Sequence, residues 1–249
     1  MTDIDTWLAS LEQRHLANLT RSELTRALRA LSSCYIERRE KLGSGAALDG
    51  AGKRAAFALF YGPLHFLTLG EILRAMDAQA HPPRTIHDLG CGTGVGGAAW
   101  ARACDGAPAI TGVDRNAWAV AEASRTYREL EVRGRARTGD AVRDFPNRAG
   151  EGDAVLLAYT ANELPDPARG LLLDNVASAV QRGVRALIVE PIAKRDRPWW
   201  PEWSTRLTAL GAREDEWRFQ AALPQALRAI AKGAGLDPRE LTARTLSVL

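Results

Sequence analysis

The chain has 249 residues, 46% of them hydrophobic and 25% charged, with a net charge of +3, which suits one large α/β domain plus a helical extension and supports a real core. The start, Met1-Thr2-Asp3-Ile4-Asp5, is acidic and excludes a signal peptide, and no apolar run is expected to reach the roughly 18 residues of a membrane span. Cys34, Cys91 and Cys104 are scattered with no CxxC pair, which excludes a locally encoded zinc or iron–sulfur site and suits a reducing, cytoplasmic setting.

Residues 3–16 read as a helix with Ile4, Trp7, Leu8 and Leu11 on one face and Asp3 or Asp5 as its cap. Residues 21–41 read as a second. Thr20 and Glu23 have capping-box spacing, and Leu24, Leu28, Leu31 and Tyr35 mark its apolar side. Its arginines, Arg21, Arg26, Arg29, Arg38 and Arg39, suit either a nucleic-acid face or a solvated face paired with Glu23 and Glu37. Leu42 to Lys53 is a Gly/Ala-rich linker, and residues 54–78 are helical again, split in two at Pro63. We therefore expect an N-terminal helical extension or lid over 1–80 and a ligand-binding domain over 81–249.

From Arg84 onward strands and helices alternate, as in a parallel, doubly wound sheet. Strands are expected at 84–89, 109–113 (ending on Asp114), 135–138, 153–158, 184–189, 216–219 and 243–249. Helices are expected at 96–104, 116–130, 168–182, 200–210 and 224–234. The first strand runs into Asp88-Leu89-Gly90-Cys91-Gly92-Thr93-Gly94-Val95-Gly96-Gly97. Glycines let backbone N–H groups approach a ligand closely, and a following helix N-terminus adds its positive end.

Two cofactors compete for that turn. Gly92-x-Gly94-x-x-Gly97 followed by Asp114 fits a dinucleotide fingerprint. Asp88 argues the other way, because a carboxylate beside the turn repels a pyrophosphate and welcomes a sulfonium and an ammonium. A purely structural turn is the remaining reading. Asp88-Leu89-Gly90-Cys91-Gly92-Thr93-Gly94 resembles the first motif of class I S-adenosylmethionine-dependent methyltransferases. The resemblance implies a Rossmann-like, seven-stranded, mostly parallel sheet with its last two strands packed together at one edge. It implies S-adenosylmethionine as cofactor, with Asp88, Gly90, Cys91, Gly92, Gly94, Asp114, Arg115, Asp140, Ala141 and Ala158 around it. Asp114 at a strand end suits two ribose hydroxyls. Asp140 suits either the adenine amino group or a helix cap.

A second set of residues resembles the ribosomal small-subunit assembly methyltransferase-like family of mitochondria and bacteria. It comprises Ala158-Tyr159-Thr160-Ala161-Asn162-Glu163-Leu164-Pro165-Asp166, Val189-Glu190-Pro191, the Phe60-Tyr61 and Leu64-His65 helix, and Leu236-Asp237-Pro238. That family's cysteine cluster is missing, and its Trp-Cys-His-Phe-like segment reads Trp217-Arg218-Phe219. The resemblance implies an RNA acceptor and the small ribosomal subunit as partner. The alternatives are a small aromatic or amine-bearing acceptor and a non-catalytic, S-adenosylmethionine-binding assembly factor.

Methyl transfer mainly needs donor and acceptor held in line, with a base only where the acceptor loses a proton early. Tyr159, Asn162 and Glu163 are the catalytic candidates, since their loop lies at the carboxyl end of a strand. The bland alternative makes Asn162 or Asp166 a helix cap and Glu163 a first-turn acid. Pro198-Trp199-Trp200-Pro201-Glu202-Trp203 suits either stacking on a flat substrate or packing of an amphipathic helix against the N-terminal helices. His65 and His87 lack ligand spacing, and neither a metal nor a membrane partner is expected.

Overall fold

The computed structural model describes residues 3–37, 48–192 and 198–249, without the side chains of residues 3 and 34–37. Arg38, Arg39 and the first half of the glycine-rich linker, residues 42–47, lie outside the described residues, as do the side chains of Cys34 and Tyr35. The chain divides into two compact units, Met1–Leu67 with Gln220–Leu241, and Thr68–Phe219 with Thr242–Leu249.

In the first unit, α1 (Asp3–His15) and α2 (Arg21–Glu37) bury Trp7, Leu8 and Leu11 and Leu24, Leu28 and Leu31 respectively. The capping box forms. Thr20 N donates to the Glu23 carboxylate at 2.8 Å and Glu23 N donates to Thr20 Oγ1 at 3.2 Å, so two N–H groups without helical partners are satisfied reciprocally. Arg21 reaches Glu12 at 3.6 Å, and Arg29 donates to the carbonyls of Gly233 and Ala234. Both arginines therefore have protein partners.

The expected break at Pro63 does not occur. Helix α3 (Ala51–Ala56) passes through a π turn (Phe57–Tyr61) straight into α4 (Gly62–Ala75), and it starts within the stretch read as linker. Gly62 N–H reaches the carbonyl of Phe57, one residue further back than in an α-helix. Proline supplies no N–H and crowds the preceding turn. The widened turn just ahead of Pro63 accommodates both without ending the helix. Together Ala51–Ala75 forms a 25-residue helix whose most apolar 18-residue window has a mean hydropathy of 1.4, long and apolar enough to cross a membrane by length and composition. The sequence reading missed this run. Its most apolar window is 61% buried inside the protein, as for a core helix.

The second unit is built on strands β1 (Thr85–Leu89), β2 (Ala109–Asp114), β3 (Gly134–Thr138), β4 (Asp153–Ala158), β5 (Arg185–Glu190), β6 (Arg213–Gln220) and β7 (Glu240–Val248). They form one seven-stranded sheet in the order β3-β2-β1-β4-β5-β7-β6. β1 pairs in parallel with β2 and β4, β2 with β3, and β4 with β5, while β7 runs antiparallel to β5 with Glu190 opposite Arg244. Helices α5 (Val95–Ala103), α6 (Ala117–Glu129), α7 (Asp166–Gln181), α8 (Trp200–Thr208) and α9 (Gln225–Ala234) complete the chain. β4 and β5 are nearly continuous apolar runs because helices cover both faces of a parallel sheet.

The tryptophans settle into this frame. Trp199, Trp200 and Trp203 are buried with Ala186, Ile188, Leu172 and Val176 in the core of the second unit. Their rings meet edge to face at 5.3–5.6 Å, and the guanidinium groups of Arg169 and Arg244 lie over Trp199 and Trp200 at 5.1 and 4.9 Å. A stacking platform needs an exposed face, so these rings are packing residues.

Candidate cofactor and acceptor site

The carboxyl ends of β1, β2 and β4 converge on the glycine turn, and the order of strands reverses between β1 and β4. In open α/β sheets a ligand lies at that switch point. Gly90 and Gly94 both need glycine. Their φ values are 73° and 78°, and a Cβ would come within 2.4 Å of Thr160 Cγ2 at the first and 2.9 Å of Ala123 Cα at the second. The turn is therefore closed around by neighbouring elements and has no freedom to accept side chains.

Asp88 corrects the electrostatic argument made from sequence. It is 1% exposed, and its Oδ2 accepts the N–H of Gly97 at 2.9 Å, inside the first turn of α5. Burial, with the charge of Asp114, pushes its pKa up to about 7, and the Gly97 bond only partly offsets this. Asp88 thus ties the turn to the helix from a buried position and is partly protonated near neutral pH. Cys91 is also buried, and burial raises its thiol well above the usual range.

The more accessible acid at the turn is Asp114. Gly92 N donates to its Oδ2 at 2.9 Å and Asn116 N to its Oδ1 at 2.8 Å, so the half-exposed carboxylate is held in place before any ligand arrives. Asn116 then caps α6 through Trp118 N and Ala119 N. Of the two roles left open for Asp140 the geometry shows the cap, over the turn at 141–144. Its Oδ1 accepts Val142 N and Arg143 N, each at 2.9 Å, and its Oδ2 binds Arg115 Nε at 2.7 Å. Burial alone would raise its pKa, but the Arg143, Arg115 and Val142 hydrogen bonds outweigh that and hold it below the usual value. Ala141 is buried beside it, and Ala158 sits half-buried at the end of β4, within 3.4 Å of a Cβ built on Gly96.

The loop after β4 is braced on three sides. Thr160 Oγ1 donates to the carbonyl of Leu89 at 2.9 Å, joining the loop to the glycine turn. Arg169 of α7 donates to the carbonyls of Ala161 and Leu164. Asn162 N donates to Glu190 Oε1 at 3.1 Å. Sequence reading missed Thr160, Arg169 and Glu190 as parts of the site.

These braces hold a backbone no bulky residue prefers. Tyr159 has a φ of 61°, in the left-handed region, which persists in a non-glycine residue only when its surroundings enforce it. Its phenol is hydrogen-bonded to Thr68, and burial followed by the charge of Glu190 raises its pKa. Asn162 and Glu163 form a 3-10 turn, Ala161–Glu163, and α7 starts only at Asp166. Among the described residues, no hydrogen bond is made by the Asn162 amide group or the Glu163 carboxyl. Glu163 is open to solvent yet crowded by protein. That crowding, then the charges of Asp114 and Glu190, pushes its pKa up to about 8. The sequence candidates Tyr159, Asn162 and Glu163 thus lie together, with Asp114 near enough to act on Glu163.

S-adenosylmethionine fits these residues. Its ammonium and sulfonium suit the accessible carboxylates of Asp114 and Glu163, Asp114 is fixed at a strand end where it can accept from hydroxyl groups, and the buried Thr93 hydroxyl in the glycine turn has no hydrogen-bond partner among the described residues. The strand order, the antiparallel β7 and the acid-ended β2 are those of class I S-adenosylmethionine-dependent methyltransferases. Residues 86–183 match the model of a family described as a methyltransferase domain. The chain is a methyltransferase that uses S-adenosylmethionine.

Solved structures share the fold at low identity. The mitomycin 7-O-methyltransferase MmcR is 17% identical, with a TM-score of 0.55 over 97% of this chain and 71% of that one. An O-methyltransferase family protein from Burkholderia thailandensis is 14% identical, with a TM-score of 0.50 over 82% of this chain and 62% of that one. Magnesium protoporphyrin IX methyltransferase from Synechocystis PCC 6803, solved with bound SAH, is 15% identical, with a TM-score of 0.49 over 74% of this chain and 82% of that one. No curated protein matches the sequence. The resemblance to the ribosomal small-subunit family is not supported by these comparisons, which reach only the broader class.

Proposed function

We propose that the chain methylates a small molecule whose acceptor atom, an aromatic hydroxyl or an amine nitrogen, gives up a proton to Glu163. The observation that carries this reading is the Glu163 carboxyl itself. It is solvent-open, makes no protein hydrogen bond among the described residues, and titrates at about 8, a useful range for a general base near neutral pH. Two of the fold relatives are named as O-methyltransferases, one of them for mitomycin, and none of the three carries RNA in its name.

In this reading Asp114 holds the ribose hydroxyls, Arg115 and Asp140 fix the wall beside the adenine, and the glycine turn with the Thr93 hydroxyl receives the amino-acid end. Bound S-adenosylmethionine supplies an electrophilic methyl carbon, which the acceptor's lone pair takes as the carbon–sulfur bond breaks. Asn162 orients the acceptor by a hydrogen bond from its side-chain amide. Glu163 accepts the acceptor's proton, and the braced loop keeps both groups in register with the glycine turn.

A labelled-methyl assay tests the assignment. Purified protein is offered radiolabelled S-adenosylmethionine with a panel of phenols, catechols and aromatic amines, and separately with small ribosomal subunits. Label in a small molecule, lost in Glu163→Gln, is the expected result. Label in RNA with none in the panel overturns it.

A further inference from the structure

Glu190 ends β5 and is completely buried. A buried carboxylate is costly, and its retention calls for a compensating arrangement. Three features surround it. Its Oε1 accepts the N–H of Asn162 across 28 residues of sequence. Its charge contributes to the raised pKa values of both Glu163 and Tyr159. Arg244 stands directly opposite it in the β5–β7 ladder, where paired residues share a face of the sheet. That arginine is itself fixed, with Nη2 on the carbonyl of Ile192 at 3.1 Å, an ion pair to Glu216 of β6 at 3.8 Å and its guanidinium over the Trp200 ring.

We propose that Glu190 is the positioning residue of the acceptor loop: its carboxylate anchors the Asn162 backbone and adds its negative charge to the surroundings in which Glu163 exchanges its proton. The proposal rests on the reading of residues 159–163 as the acceptor side. The other groups acting on the loop are accounted for. Arg169 binds carbonyls of the loop from α7, Asp114 acts on Glu163 from β2, and Tyr159 is engaged by Thr68 of α4. Glu190 differs from each of them by reaching both the loop's backbone and the titration of its acid.

Two substitutions separate the two functions. Glu190→Gln keeps an acceptor for Asn162 N–H and removes the charge, whereas Glu190→Leu removes both. Isotope-labelled protein saturated with S-adenosylhomocysteine is followed by hydrogen exchange at the Asn162 amide and by a carbon-13 titration of the Glu163 carboxyl, identified by its absence in Glu163→Gln. In Glu190→Gln the Asn162 amide stays protected and the Glu163 midpoint falls by about one pH unit, a tenfold change in proton affinity. In Glu190→Leu the amide exchanges at least about tenfold faster. An unchanged Glu163 midpoint in Glu190→Gln, or unchanged exchange in Glu190→Leu, overturns the proposal. Should the leucine variant fail to fold in a thermal melt, the glutamine titration decides alone. Neither readout needs the acceptor, so the proposal and the assignment of Glu163 as proton acceptor fail separately. The second falls if Glu163→Gln turns over normally.

Discussion

At the β1–β2 side of the switch point each named carboxylate is answered by backbone or guanidinium: Asp88 by Gly97 N, Asp114 by Gly92 N and Asn116 N, Asp140 by Arg115 and two amides. At the β4–β5 side the backbone is answered, and so is the Tyr159 phenol by Thr68, but not every side chain of the loop. Thr160, Arg169 and Glu190 hold the loop, while the carboxyl of Glu163 and the amide of Asn162 make no hydrogen bond among the described residues. The first region is built to bind without rearranging, and the second keeps its reactive groups unspent on a rigid support. Preorganisation of that kind places the cost of ordering in the fold, so that a donor and an acceptor meet already aligned.

Glu163 gives the largest expected effect. Glu163→Gln removes an acid of the second region that makes no hydrogen bond among the described residues, and turnover is expected to fall by about 10²–10⁴-fold, the range of general-base catalysis. Affinity for S-adenosylhomocysteine, measured by calorimetry, should change little. For the wild type kcat/KM should rise with pH through about 8, because the base works only when ionised. The variant's profile should be flat there. A variant with normal turnover would remove the distinction between the regions.

Next comes the turn. Gly94→Ala forces a side chain into a positive φ and against the backbone of Ala123 at 2.9 Å. A loss of roughly 2–4 kcal/mol is expected by denaturant unfolding, since neither strain nor overlap can relax against backbone. Unchanged stability would mean the first region is soft. Asp114→Ala should follow with a loss of about 100-fold in S-adenosylhomocysteine affinity, two hydrogen bonds to a charged acceptor. Its effect on the Glu163 titration should be a lowered midpoint, because Asp114's charge helps raise it.

These two regions differ also in how far the sequence disclosed them. The glycine turn, the Asp114 strand end and the alternation of strands and helices follow from local patterns of period 2 and 3.6, and each element lies within a few residues of its expected place. The second region is assembled from distant positions. Asn162 and Glu190 are 28 residues apart, Thr160 meets Leu89 over 71, and Glu190 faces Arg244 only because β7 returns antiparallel. No spacing rule connects such pairs. The tryptophan run Trp199–Trp203 was ambiguous for the same reason, since one segment reads alike whether its rings face solvent or the β5 side of the core. Pro63 misled because a local rule for helix ends ignores the π turn that a buried helix can adopt.

The smallest effect tests why the first region tolerates a buried acid at all. Asp88 has a folded-state pKa raised to about 7, so its native form keeps a proton that the unfolded chain loses near pH 4. The stability it contributes is present at acid pH and is lost as pH rises through about 7. Asp88→Asn keeps an oxygen to accept Gly97 N–H and cannot ionise. Between pH 5 and pH 8 the wild type should therefore lose about 1–2 kcal/mol relative to the variant, read from paired denaturant unfolding curves. If the two curves move in parallel with pH, Asp88 is ionised in the native protein throughout. The glycine turn would then carry a full charge, and the comparison would need Asp88 among the acids that face the sulfonium.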